Sequence, residues 1–216
     1  MPGFDTLSFH DRSLLITGGS QGIGAATARL AASRGARVMI ASPDRERLEA
    51  VTREIREAGG TCDHVVCDVT DDAPVRRMVE RTVEAYGRLD LAYNNAGISQ
   101  APCWPHEVDD ALFHHVMAVN VYGVFACCRA EIRQFLAQGG GGTIVNNGSM
   151  AGILGVGTMT PYSTSKHAVA GMTRSLALAY GHRDIRVNFH GPGATETPMY
   201  DQSVTDVMAF RETNPN

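Results

Sequence analysis

Tyr162 and Lys166 stand four residues apart in the stretch YSTSK, directly after Pro161. Proline suits the first turn of a helix, and side chains at i and i+4 lie one above the other on a helix face. The pair is either an ordinary helix-surface pair or a phenol held ready to exchange a proton. A free tyrosine has a pKa of about 10 and is a poor base near neutrality. An ammonium about 5 Å away, at an effective dielectric of about 20, favours the phenolate by roughly 3 kcal/mol. That is about two pKa units, enough to bring Tyr162 into working range. Ser149, thirteen residues upstream in NNGSMAG, offers a hydroxyl that could donate to a developing oxyanion, or simply cap a strand end. Its surroundings are not the G-x-S-x-G of a hydrolase nucleophile.

A second chemical signal is TGGSQGIG at 17–24. Gly18, Gly22 and Gly24 allow a tight turn and close approach of backbone to a pyrophosphate, with Ser20, Gln21 and Ile23 between them. The helix that follows points its N-terminus at the anion. The spacing is G-x-x-x-G-x-G, and a glycine-rich turn alone is weak support, since strand–helix turns use glycine anyway. Asp44 lies twenty residues after Gly24, where an acid can hold a ribose. Its position after Pro43 favours the start of the next helix instead.

These residues need a scaffold, and the chain alternates strand and helix patterns. SLLIT, ARVMIA, CDHVVCDV, LDLAYNNAG, TIVNNGS and DIRVNF read as strands. Between them lie IGAATARLAASRG, PDRERLEAVTREIREAGG, DDAPVRRMVERTVEAYG, a long helix over 107–138 and another over 161–180. Residues 98–106 and 190–199 read as loops, and the last residues could start a helix. Apolar strands alternating with helices predict an α/β fold, a Rossmann-type doubly wound parallel sheet with helices on both faces. With 216 residues and 44% hydrophobic composition, one domain over 1–216 is expected.

Composition also excludes some functions. The net charge of −4 comes with no basic patch, so nucleic acid is not an expected partner. The opening MPGFDTLSFHDRS lacks the blocks of a secretory leader. The apolar stretch VMAVNVYGVFACC is interrupted by Asn120 and reads as a buried helix, not a membrane span. The five cysteines form no framework and suggest reduced thiols in the cytoplasm. No histidine or cysteine spacing suggests a metal.

Taken together, TGGSQGIG, NNAG at 94–97, Asn120 in VNVYGVF, Ser149 with YSTSK, and PGATETPM at 192–199 resemble the classical short-chain dehydrogenase/reductase family over about residues 11–200. The resemblance implies NAD(H) or NADP(H) and hydride transfer between nicotinamide and a small alcohol or ketone. It assigns Tyr162 as general acid/base and Lys166 as its electrostatic partner and ribose ligand. Ser149 would bind the substrate oxygen, and Asn120 would hold a water in a proton relay. The glycine loop from Gly18 to Gly24 would hold the pyrophosphate, and Asp68 with Val69 the adenine. Asn95, Ala96 and Gly97 would meet the adenosine ribose, and Pro192, Gly193, Thr195 and Thr197 the nicotinamide and pyrophosphate. The long helix and the Tyr162 helix would form a homodimer or homotetramer interface.

Two features depart from the family pattern. Ser42 takes the position where an acid often selects NAD, and Pro43 that of a common basic residue, so the choice of coenzyme stays open; Arg45 could reach a phosphate or equally be a solvated helix residue. Family members also usually continue past PGATETPM to a seventh strand, so six strands are expected, with the sixth at an edge. That shortness leaves a coenzyme-binding sensor or assembly subunit as the alternative to an enzyme. Trp104 could be pocket wall or packing.

Overall fold

The computed structural model describes residues 8–214. Residues 1–7, where a leader was sought, lie outside the described residues. Six strands form one parallel sheet: β1 (Ser13–Thr17), β2 (Arg37–Ser42), β3 (Thr61–Val66), β4 (Leu91–Asn94), β5 (Gly142–Asn147) and β6 (Ile185–His190), in the order β3-β2-β1-β4-β5-β6. The chain leaves β3 at one edge and returns on the far side of β1. The switch point therefore lies between β1 and β4, where doubly wound folds open a crevice at the strand ends. β6 is the other edge, as expected.

Among the described residues, six α-helices connect the strands and a seventh follows β6: α1 (Gly22–Ser33), α2 (Arg45–Glu57), α3 (Asp72–Tyr86), α4 (Asp110–Met117), α5 (Val124–Gln138), α6 (Thr160–Tyr180) and, last, α7 (Pro198–Thr213). Each sheet face carries its own core. One side packs Leu15, Met39, Ala92 and Ile144 under Met78, Cys127, Ile132, Phe135 and Val169. The other packs Leu14, Ile16, Val38 and Ile40 under the alanine face of α1 and Leu48, Val51 and Ile55 of α2. The small side chains Ala25, Ala28, Ala31 and Ala32 let α1 lie close to the sheet. Burying a large aliphatic side chain of this kind contributes about 1.5–3 kcal/mol, so the strand centres are the firmest part of the platform.

Caps decide where the helices begin. Asp44 accepts a hydrogen bond from the Arg47 N–H, so its helix-start reading is correct. Asp71 and Asp109 do the same for α3 and α4. The long helix differs from expectation. It starts at Asp110, and residues Ala118–Gly123 form a π turn between α4 and α5. A wide turn of this kind commonly marks a functional position, and here it carries Asn120. The continuous run Asp110–Gln138 is long and apolar enough to cross a membrane. Its face from Val124 to Phe135 nevertheless packs against the sheet, as a core helix does. All five cysteines are free thiols, and all but Cys103 are buried. No cluster of potential metal ligands occurs among the described residues.

Candidate active site

The glycine loop leaves β1 and turns into α1. Gly18 has φ +64° and Gly22 φ +53°, values that favour glycine. At Gly24 the constraint is space: a Cβ there would lie 2.2 Å from the Gly18 carbonyl oxygen and 2.6 Å from Asn95 Nδ2. Asn95 braces the loop by donating from Nδ2 to the carbonyls of Thr17 (3.2 Å) and Gly18 (3.1 Å). Thr17 Oγ1 accepts from the Asn95 and Ala96 N–H groups, both at 3.1 Å. Asn147 Nδ2 in turn holds Asn95 Oδ1 at 2.9 Å.

A cleft of about 550 Å³ opens over the switch point. Gly18, Ser20, Gln21, Gly22 and Ile23 line it from the loop, and Ser42, Asp68, Val69, Asn95, Ala96 and Gly97 from the strand ends. Ser149, Tyr162, Lys166, Pro192, Gly193, Thr195 and Thr197 complete it. Gly24 and Asn120 stand behind the wall instead. Asn120 is fully buried; its side chain accepts from the Ile98 N–H (2.8 Å) and donates to the Ile98 carbonyl (2.9 Å) and Ser165 Oγ (3.0 Å). Its amide is thus a brace that fixes the loop after Gly97 against α6.

The Tyr162 end follows from α6. Gln100 Oε1 accepts from the Tyr162 N–H at 3.0 Å, satisfying one of the free amides of the first turn. Ser149 Oγ accepts from the Ala151 N–H at 3.1 Å, which leaves its own proton free to donate. Lys166 is buried; Nζ donates to the Asn147 carbonyl at 3.0 Å and sits 5.5 Å from the centre of the Tyr162 ring. Burial pulls the Lys166 amine down to about 8, so it is still the ammonium at pH 7. Burial raises the Tyr162 phenol above its ordinary value, and the Ser149 side chain only partly offsets this. Burial of the phenol thus opposes the lowering expected from the lysine. Both groups are removed from water, which disfavours both charged forms, and the ammonium faces the ring and the Asn147 carbonyl.

Two contributors, Asn147 and Arg47, were not read from the sequence. Asn147 links the glycine-loop brace to Lys166; the doublets at 94–95 and 146–147 were its available signal, because Asn94 and Asn146 are register partners. Arg47, rather than Arg45, reaches the cleft at the Ser42 end. It pairs with Asp44 at 3.2 Å and bonds Gln21, while Arg45 turns to Glu49. Met199, Tyr200 and Ser203 of α7 form the opposite lip. Trp104 is packing, not pocket wall: its ring meets Phe210 edge-on at 5.6 Å, and Nε1 donates to Asn214 Oδ1 at 3.0 Å, tying the 98–106 loop to α7.

Comparison with known proteins agrees with this geometry. The family model described as short chain dehydrogenase matches residues 12–207. An A-factor type gamma-butyrolactone 1'-reductase (1S-forming) of Streptomyces virginiae is 44% identical over 191 residues, covering 88% of this chain and 74% of the relative. The crystal structure of levodione reductase superposes with a TM-score of 0.90 at 36% identity, covering 94% of this chain and 79% of that one. The structure of NAD+-bound xylitol dehydrogenase gives a TM-score of 0.88 at 35% identity, covering 92% and 76%.

Proposed function

Since the chain belongs to the short-chain dehydrogenase family, we propose that its cleft interconverts a small uncharged alcohol and its ketone, with Tyr162 moving the proton. The protein is an NAD(P)-dependent oxidoreductase. The observation that carries the proposal is the convergence of Ser149, Tyr162 and Lys166 at one end of a cleft whose other end is the glycine loop. The complete set favours turnover over a sensor that only binds coenzyme.

The residues present fit a nicotinamide dinucleotide. Gly18, Ser20, Gln21, Gly22 and Ile23 offer backbone and hydroxyl groups to the pyrophosphate, at the N-terminus of α1. Gly97 leaves open the space between Asn120 and Lys166; a Cβ there would lie 3.2 Å from Asn120 Oδ1 and 3.4 Å from Lys166 Nζ. Ser42, Asp68, Val69, Asn95 and Ala96 would surround the adenosine, and Pro192, Gly193, Thr195 and Thr197 the nicotinamide end. The bound coenzyme supplies or accepts the hydride.

The chain's own groups handle the proton. In reduction, the Tyr162 phenol gives its proton to the oxygen that becomes the alcohol; in oxidation the phenolate takes it back. Ser149 Oγ–H donates to the same oxygen, and that bond strengthens as negative charge builds there. Lys166, as the ammonium, stabilises the phenolate when it forms. The substrate end is lined by Ile98, His115, Val119, Met159, Met199 and Tyr200, with no carboxylate or guanidinium among them. An acid or phosphate ester would find only Lys166 and the His115 imidazole there as groups able to carry a matching charge.

Purified protein with NADH or NADPH should consume coenzyme absorbance with neutral ketones, ring-bearing ones included, and far less with keto acids of similar size. A folded protein that binds coenzyme but turns over nothing in a broad panel would instead support the sensor reading. We further propose a single domain over 1–216, a cytoplasmic location and a homodimer or homotetramer. Free buried thiols support the location. Exposed Tyr122, Phe125 and Leu136, with Leu178 on α6, support assembly. A monomer mass in light scattering at micromolar concentration would overturn the assembly.

A further inference from the structure

Where α5 and α6 pack on one face of the sheet lies an acid that the reaction does not use. Glu131 of α5 is fully buried. Asn94 Nδ2 donates to its Oε2 at 3.0 Å and to Asn146 Oδ1 at 3.0 Å. Asn146 Nδ2 continues to Thr173 Oγ1 at 3.0 Å, and Thr173 Oγ1 donates to the Val169 carbonyl at 2.7 Å. Cys128 Sγ joins through Asn146 Oδ1 at 3.3 Å. The chain of bonds thus crosses α5, β4, β5 and α6.

No cation enters this network. The groups that face Glu131 are Asn94 from β4 and the thiols Cys127 and Cys128 of its own helix; Asn146 and Thr173 extend the network from β5 and α6. A bare carboxylate without a partner charge is very costly in such a place. Hydrogen-bond matching points the same way. Glu131 Oε1 and Asn94 Oδ1 are both buried acceptors without a partner. A carboxylic O–H supplies the donor that such acceptors lack; an ionised carboxylate supplies none.

Asn94 and Asn146 are register partners at the C-terminal ends of their strands. The residue after each works on the cleft: Asn95 braces the glycine loop, and Asn147 offers its carbonyl to Lys166. We infer that Glu131 is a positioning residue, a neutral carboxylic acid that clamps Asn94 to Asn146 from the α5 side and so fixes Asn95 and Asn147 in the cleft wall. Burial first, opposed by the Asn94 bond, pushes the Glu131 acid up to about 7 from its ordinary 4.5. The sign follows. The folded chain holds this proton where the unfolded chain has lost it, so the stabilisation is full below about 4.5 and is lost as pH rises toward about 7.

The test compares the parent protein with Glu131→Gln and Glu131→Leu. Calorimetric titration with NADH and NADPH should show Glu131→Gln within about threefold of the parent. Glu131→Leu should bind about tenfold more weakly, since it leaves the Asn94 amide short of a buried partner. In thermal melts, the midpoint of Glu131→Gln relative to the parent should climb from pH 5 to about pH 7 and then level. A pH-independent difference, or a Gln variant that loses coenzyme as badly as Leu, overturns the inference. The binding arm rests on the coenzyme reading of the cleft, while the melting arm does not. A parent that binds no coenzyme would therefore sink that reading and leave the melts to judge Glu131. Should Glu131→Leu fail to fold, the Gln variant decides alone.

Discussion

Tyr162→Phe should cut turnover by about 10²- to 10⁴-fold, the range lost when a positioned acid/base is removed, while coenzyme affinity stays within about threefold. The ring remains, so the packing over Lys166 is kept; only the proton carrier is gone. The parent should also show a directional pH response. Its phenol is raised by burial, so the protonated form dominates at neutral pH and serves reduction. Oxidation needs the phenolate, whose fraction grows about tenfold per pH unit below the pKa. The kcat/KM for alcohol oxidation should therefore climb above pH 7 and flatten near pH 8, where Lys166 sheds the proton that stabilises the phenolate, and the residual activity of Tyr162→Phe should lack this rise. Steady-state rates in both directions check this; a Phe variant with near-parental turnover would remove Tyr162 from the mechanism.

Gly24→Ala should be the most damaging single methyl group in the cleft, although Gly24 does not line it. The added carbon would meet the Gly18 carbonyl at 2.2 Å and Asn95 Nδ2 at 2.6 Å. Backbone cannot swing aside as a side-chain tip can, so the loop must leave its turn or Asn95 must give up its bonds. Overpacking of this kind costs about 1–3 kcal/mol or more. For a chain of this size each kcal/mol lowers the melting midpoint by about 2–4 °C. The same displacement spoils the pyrophosphate seat, so coenzyme affinity should fall about 100-fold, equivalent to about 3 kcal/mol. Gly171→Ala is the control: a Cβ there meets nothing within 4 Å, and alanine suits a helix interior better than glycine. Calorimetry showing equal coenzyme affinity for both variants would refute the steric account.

The sheet and most of the cleft were legible because their signals are local. Strand periodicity, the glycine turn and the Asp44 cap each depend on a few adjacent residues, and β1 to β6 fall where the apolar runs predict. What was not legible involves partners far apart in sequence. The side-chain partners of Asn120, Ile98 and Ser165, are residues that only the fold brings near. Arg45 and Arg47 are equivalent on paper; the turn of α2 decides which one points at Gln21 and the cleft. The Tyr162 shift was judged from a charge at a distance, but desolvation of both partners is a property of the packed site and outweighs it. Glu131 gave no signal at all, since an acid in an amphipathic helix reads as solvent-facing until the helix is docked.

The contact between Trp104 and α7 has a spectroscopic consequence. Trp104 is the only tryptophan in the chain, and its indole rests against Phe210 and Asn214, one turn and more beyond the residues that form the cleft lip. Ultraviolet excitation of the unlabelled protein therefore reports on a single junction, the seam between the 98–106 loop and the last helix. Shifts in emission colour during a titration can be assigned to that seam without mutagenesis or dye, and set against binding heats measured on the same sample.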